Sequence, residues 1–223
     1  MDYKATVKDK YGELIKGKSS CCDACSCAVS NIPSFGVGTP VEFAGLKPGE
    51  KVLDIGSGAG GNCLKAARIV GEHGEITGLD MTDEMVSEAK RHAGASGLKN
   101  LEFVRGDADD MPFSDESFDV VISDCVINLI PDKGKVFREM FRVLKPGGRA
   151  VIADVSSDRE FPDELKEDEK LWCGCVSGAV PDEVYLRMFR EAGFSSAEIP
   201  VKDYSREVSG IRLYNAVFRG FKS

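Results

Sequence analysis

Short apolar runs alternate with apolar residues at helical spacing along most of the chain. Val52, Leu53 and Ile55 make a brief run at residues 51–55, a glycine cluster follows at 56–61, and Leu64, Ala67 and Val70 then recur with helical period. The same alternation predicts strands at 75–80, 101–105, 119–123 and 149–154 and helices at 83–93, 134–144 and 181–192. Lys145-Pro146-Gly147-Gly148 reads as a stop, and a last pair of strands falls near Ala197 and Tyr214. Strands alternating with helices predict an α/β fold, doubly wound around a mostly parallel sheet of about seven strands. The charged stretch 156–170 interrupts this rhythm. Residues 1–45 read as a cysteine-rich N-terminal cap over the sheet's C-terminal edge, and 46–223 as the main domain.

At 223 residues and 42% hydrophobic content the chain can close one sizeable core. A net charge of -8 without a basic cluster argues against a nucleic-acid partner. No run approaches the roughly eighteen apolar residues of a membrane span, and the first residues are polar, so no membrane partner is expected and the expected setting is cytoplasmic. There are only two histidines. His73, in a glycine-flanked turn, and His92, on a charged helix, both read as solvated surface residues. Eight cysteines are many for such a setting and read as metal-binding or reactive thiols sooner than as a disulfide framework.

Gly56, Gly58 and Gly61 satisfy a G-x-G-x-x-G pattern that by itself fits a nicotinamide enzyme equally well. Glycine is wanted where a backbone turns sharply against a ligand and brings helix N-terminal N–H groups to an anion, which places Gly56, Ser57 and Gly58 beside the cofactor. Three acidic stations separate the possibilities. Asp54 puts a carboxylate at the strand tip, where it can accept from an ammonium or from the loop itself and would repel a pyrophosphate. Asp80, ending the second strand, is spaced to take both ribose hydroxyls, and Met81 can cover an adenine face. Asp107 and Ala108, after the third strand, can accept from an adenine amino group and donate to its ring. The set points to S-adenosylmethionine, while Asp83, Asp110 and Asp115 read as caps and turn residues.

Cys125 falls at the C-terminal end of the predicted fourth strand, the edge where open α/β sheets bind ligands. Cys173 and Cys175 follow the charged stretch, and Cys21, Cys22, Cys25 and Cys27 form another group. The Cys22-x-x-Cys25 spacing suits zinc, and a soft thiophilic ligand fits the three groups at least as well.

Asp124-Cys125-Val126-Ile127-Asn128-Leu129 followed by Pro131-Asp132-Lys133, together with Cys173-Gly174-Cys175-Val176-Ser177-Gly178-Ala179, resembles the signature pair of the arsenite S-adenosylmethionine methyltransferases. Tyr11-Gly12, Cys21-Cys22 and Gly56-Ser57-Gly58-Ala59-Gly60 are also similar, and the match extends over about 11–218. The resemblance implies that Cys125 and Cys175 hold trivalent arsenic, with a third thiol from Cys173, from Cys21 or Cys22, or from a small molecule. It implies a thiol reductant as partner, thioredoxin or a small thiol. Where the family usually carries a cysteine between two glycines, this chain has Gly36-Val37-Gly38, and Val37 can neither ligate arsenic nor form a disulfide. Phe35 beside it can wall the methyl group from water. Two other functions compete. A small-molecule methyltransferase of the quinone-biosynthesis type leaves the cysteines unexplained, and a non-catalytic metalloid- or zinc-binding thiol protein leaves the acidic stations unexplained.

Overall fold

A computed structural model describes residues 2–15 and 39–223. In chain order the elements are α1 (Tyr3–Ile15), α2 (Pro40–Phe43), β1 (Lys51–Ile55), α3 (Gly61–Val70), β2 (Glu75–Asp80), α4 (Asp83–Ser96), β3 (Leu101–Arg105) and β4 (Phe118–Asp124). A 3-10 turn at Ile127–Leu129 leads to α5 (Lys133–Val143), β5 (Leu144–Ser157), α6 (Asp163–Lys166), α7 (Glu169–Cys173), β6 (Val180–Pro181), α8 (Asp182–Ala192), β7 (Ser196–Val208) and β8 (Ile211–Phe221). No helix among the described residues is long and apolar enough to cross a membrane.

The strands form one sheet in the order β3-β2-β1-β4-β5-β8-β7, with β6 attached to β5. β1 to β5 pair in parallel, and β7 and β8 are antiparallel. Parallel strands covered on both faces read as continuous apolar runs because both faces are buried. Leu53, Ile55, Val121 and Ile152 face a layer made by Val136, Phe137 and Met140 of α5 and Tyr185 and Phe189 of α8. Val52, Val120, Ile122 and Val151 face Val41, Cys63, Ala66, Ala67, Val70, Val86 and Ala89 on the other side.

Two differences from the sequence expectation have clear causes. The Lys145-Pro146-Gly147-Gly148 stop does not end β5. It is an excursion within it: pairing steps from Phe118↔Leu144 to Val120↔Arg149, so β5 advances further than β4 while Gly147, at φ 78, turns the loop out. The final strands are longer than expected because Ser209 and Gly210, both at positive φ, make a two-residue hairpin turn that lets them pair from Ser196↔Phe221 to Val208↔Ile211. Running antiparallel, β8 ends beside the start of the parallel strands, where Phe221 pairs Arg149.

Candidate active site

β1 and β4 are neighbours whose chain connections leave in opposite directions, so their C-terminal ends open the crevice where such sheets bind ligands. The turn after β1 is pressed against the segment after β4. Gly56 sits at φ 68, and a Cβ there would lie 2.2 Å from Val126 Cγ2, so only glycine fits. Gly56 and Ser57 both donate their N–H to the Leu79 carbonyl, at 2.8 and 3.0 Å, which staples the turn to β2. Gly58 N donates to Asp80 Oδ2 at 2.9 Å. The glycine turn therefore spends its own N–H groups internally. The donors available to an anion are those of the first turn of α3, whose residues Gly61 and Asn62 line the cavity and lack partners within the helix.

Asp80 also accepts from Thr82 N at 2.9 Å and from the Thr82 hydroxyl. Burial raises its pKa, opposed by these donors. Asp54 does not line the cavity. It is buried behind the turn and accepts from the Cys63 thiol at 3.2 Å. Burial pushes its pKa up to about 7, against the Cys63 hydrogen bond and with help from Asp124 and Asp80. Asp124 faces the cavity instead and accepts from Asn62 Nδ2 at 3.1 Å. His92 is not a solvated residue either. Its ring lies against the turn, with Nδ1 2.9 Å from the Ala59 carbonyl; since a carbonyl only accepts, Nδ1 carries the proton. His73 is exposed, as expected.

The cavity comprises about 1080 Å³, part of it open to solvent. Gly56, Ser57, Gly58, Asp80, Met81, Asp107 and Ala108 all line it, with Leu79, Met85, Val126, Leu129 and Ile130 as apolar wall. Lys4, Val7 and Tyr11 of α1 close one side. Lys4 is 2.7 Å from Asp109 and 3.4 Å from Asp107, so Asp107, the acid expected to face adenine, and its neighbour Asp109 are tied to α1. The same helix meets the thiol region: the Tyr11 hydroxyl donates to the Cys173 carbonyl at 3.1 Å, and the Tyr3 and Trp172 rings lie 4.3 Å apart.

Cys125 lines the cavity immediately after β4. Its sulfur, that of Cys175 and one carboxylate oxygen of Asp154 lie within 4.8 Å of one another, all buried. The Cys175 thiol donates to the Cys125 carbonyl at 2.9 Å. Contact with Cys175 and burial raise the Cys125 pKa well above that of an ordinary thiol, so Cys125 is protonated at neutral pH. Both cysteines hold left-handed backbone, φ 57 and φ 55, a conformation costing about 1 kcal/mol or more outside glycine. Cys173 shares their apolar cluster with Trp172, Leu129 and Val7 but stands outside the close triad. Cys21 and Cys22, with Cys25, Cys27, Phe35 and Val37, lie outside the described residues.

Behind the thiols runs a polar network that the sequence reading did not identify. Asn128 Nδ2 donates to Asp154 Oδ1 at 2.8 Å and to the Val155 carbonyl at 2.7 Å, and lies 3.4 Å from the Cys175 carbonyl. Tyr185 of α8 shares its hydroxyl proton between Asn128 Oδ1 at 2.8 Å and Asp154 Oδ2 at 3.1 Å. Lys133 is buried, donates to the Ile130 carbonyl at 3.1 Å, and lies over the Trp172 ring. Burial lowers its pKa to about 8, opposed by Asp154, whose own pKa burial raises to about 6. The one signal for Asp154 was an acid at the end of a parallel strand adjoining the strand that delivers Cys125. The thiol loop reaches this network because Gly178 has no side chain: a Cβ there would lie 2.0 Å from the Asn128 carbonyl oxygen.

The family model described as a methyltransferase domain matches residues 46–193. The arsenite methyltransferase of Aquipseudomonas alcaligenes is 35% identical, the match covering 97% of this chain and 71% of that protein. The arsenite methyltransferase of Halobacterium salinarum is 46% identical over 78% of this chain, which spans only 44% of that relative's length. Among solved structures, an arsenic(III) S-adenosylmethionine methyltransferase from Chlamydomonas reinhardtii superposes with a TM-score of 0.73 at 30% identity, covering 97% of this chain and 73% of that one.

Proposed function

Because the chain belongs to the arsenite methyltransferase family, we propose that it transfers a methyl group from S-adenosylmethionine to trivalent arsenic held by Cys125 and Cys175. The observation that carries this reading is a pair of buried, converging thiols, of which Cys125 lines a cavity also lined by a glycine turn and a helix N-terminus. When bound, the cofactor supplies an electrophilic methyl group on a sulfonium.

The donor set fits that cofactor. The start of α3 suits its carboxylate, and Asp124 is the acid nearer its ammonium, with Asp54 supporting the turn from behind through Cys63. Asp80 suits the ribose diol. Gly58 N and Thr82 already donate to its carboxylate and hold it in place for a diol. Met81 and Leu79 supply apolar cover for the base, with Asp107 and Ala108 at its edge. Of the proposed 1–45 cap, residues 16–38 lie outside the described residues, and α1 supports the role by bridging the acidic loop and the thiol region.

On the arsenic side Cys125 reacts as a thiol. Each S–H exchanges with an arsenic-bound hydroxide, forming an As–S bond and releasing water, so no separate base is needed. The nucleophile is the arsenic lone pair, already free at neutral pH, and the chain's main contribution is alignment, worth on the order of 7 to 11 kcal/mol in favourable cases. Asn128 holds Asp154 and approaches the Cys175 carbonyl, fixing the distance between the two thiols. A third thiol comes from Cys173, from Cys21 or Cys22, or from a small molecule, and a thiol reductant such as thioredoxin or a small thiol keeps the set reduced. The free thiols Cys63 and Cys125 suit a reducing, cytoplasmic setting.

The purified chain should convert arsenite to methylated arsenicals when given S-adenosylmethionine and a thiol reductant. Cys125→Ser or Cys175→Ser should abolish the products while cofactor binding persists. Full turnover by the double serine variant would sink the ligand assignment.

A further inference from the structure

Arsenic methylation gives no reason for a buried carboxylate among the thiols, yet Asp154 brings one within 4.8 Å of both sulfurs. The three groups arrive from separate elements: Cys125 from the segment after β4, Asp154 from within β5, and Cys175 from the loop after α7. Two soft sulfurs and one hard oxygen match the ligand preference of zinc and cadmium rather than of calcium or magnesium.

The carboxylate's two oxygens are unequally committed. Oδ1 takes two short hydrogen bonds, from Asn128 Nδ2 and Val155 N, both at 2.8 Å. Oδ2 takes two longer ones, from Asn128 N at 3.2 Å and the Tyr185 hydroxyl at 3.1 Å. That hydroxyl already has a closer acceptor in Asn128 Oδ1 at 2.8 Å, so a cation can claim Oδ2 without stranding Tyr185. Charge also balances. Two thiolates and a carboxylate are offset by a divalent cation together with the buried Lys133 ammonium, so these four groups and the cation sum to zero charge. Cys125, which lines the cavity, leaves one approach open for entry.

We propose that Cys125, Cys175 and Asp154 form a binding site for a soft or borderline divalent cation, occupied in competition with the arsenical. The competition rests on the reading of Cys125 and Cys175 as arsenic ligands; the cation site itself does not. Binding breaks two S–H bonds, forms two metal–sulfur bonds and one metal–oxygen bond, and releases the two thiol protons to solvent, with no change of oxidation state. The site makes methyl transfer subject to inhibition by divalent thiophiles.

Trp172, the chain's one tryptophan, is buried in the same cluster as Cys125 and Cys175 and reports on this site. Titrating the full chain with cadmium alone, without arsenical or cofactor, should give a saturable change in Trp172 emission with proton release. Added trivalent arsenical should displace the metal. Cys175→Ser should lose the response, and Asp154→Asn should weaken cadmium by roughly tenfold or more, and by more than it weakens the arsenical. Cadmium and arsenical bound together, or undiminished cadmium affinity in Asp154→Asn, would overturn the proposal. If that variant does not fold, the displacement measurement on the unaltered chain decides alone. Cadmium binding in a protein that forms no methylated arsenical would keep the cation site and sink the arsenic reading.

Discussion

Burial without a cationic partner governs the behaviour of Asp54. Its folded pKa of about 7 stands above the unfolded 3.8, so the folded state holds the proton more tightly, and stability falls as pH rises from about 4 to 7. The loss is at most about 4 kcal/mol. Asp154, raised to about 6, acts in the same direction. Asp54→Asn removes the charge and keeps the shape, so its melting temperature should rise relative to the unaltered chain as pH goes from 5 to 8. A gap between the two that does not vary with pH would show that Asp54 is not titrating. At this scale the cysteines and Asp80 were legible because their residue types carry the chemistry and their positions fall at strand ends. Asn128, Lys133 and Tyr185 were not, since their roles depend on contacts across as many as 57 positions that no local spacing signals. His92 misled because a charged helix face normally meets water, and here it meets the Ala59 carbonyl.

Elements were most legible where periodicity is strongest. β1, β2 and β3 fall at the expected residues because each is buried on both faces or bounded by a glycine or charged turn. α1, α6 and α7 escaped notice: α6 and α7 are only a turn or so long, and α1 earns its place by packing on Trp172 and on Asp109 rather than by its own amphipathic pattern. The loop from α7 through Gly178 is the element on which the thiol geometry hangs. In Gly178→Ala the added carbon meets a backbone oxygen, which cannot rotate away, so a destabilisation of about 3 kcal/mol or more is expected. Chemical denaturation checks the magnitude. Because the clash lies between the Cys175 loop and Asn128, arsenical affinity should fall well before cofactor affinity; equal loss of both would mean that the loop does not set the thiol spacing.

For the whole molecule, the alternation of strands and helices was enough to anticipate the doubly wound sheet, since parallel pairing demands a crossover between neighbours. The strand order was not, because the reversal at β1 and β4 and the antiparallel β7–β8 pair depend on tertiary packing. One cavity at that reversal point should couple ligand to global stability. At about a hundredfold excess over its dissociation constant, S-adenosylmethionine should contribute about 2.7 kcal/mol, raising the melting temperature of a chain of this size by roughly 5 to 10 °C. A nicotinamide dinucleotide should give no shift, and an equal shift would reopen the alternative that the glycine pattern alone allows. The run of β8 back to the start of the parallel strands, where Phe221 pairs Arg149, adds a practical consequence. A tether joined after Ser223 leaves from the edge opposite the cavity, so an immobilised film of this protein would present every thiol clamp to the liquid, with Trp172 beside each as its built-in optical readout for dissolved arsenic.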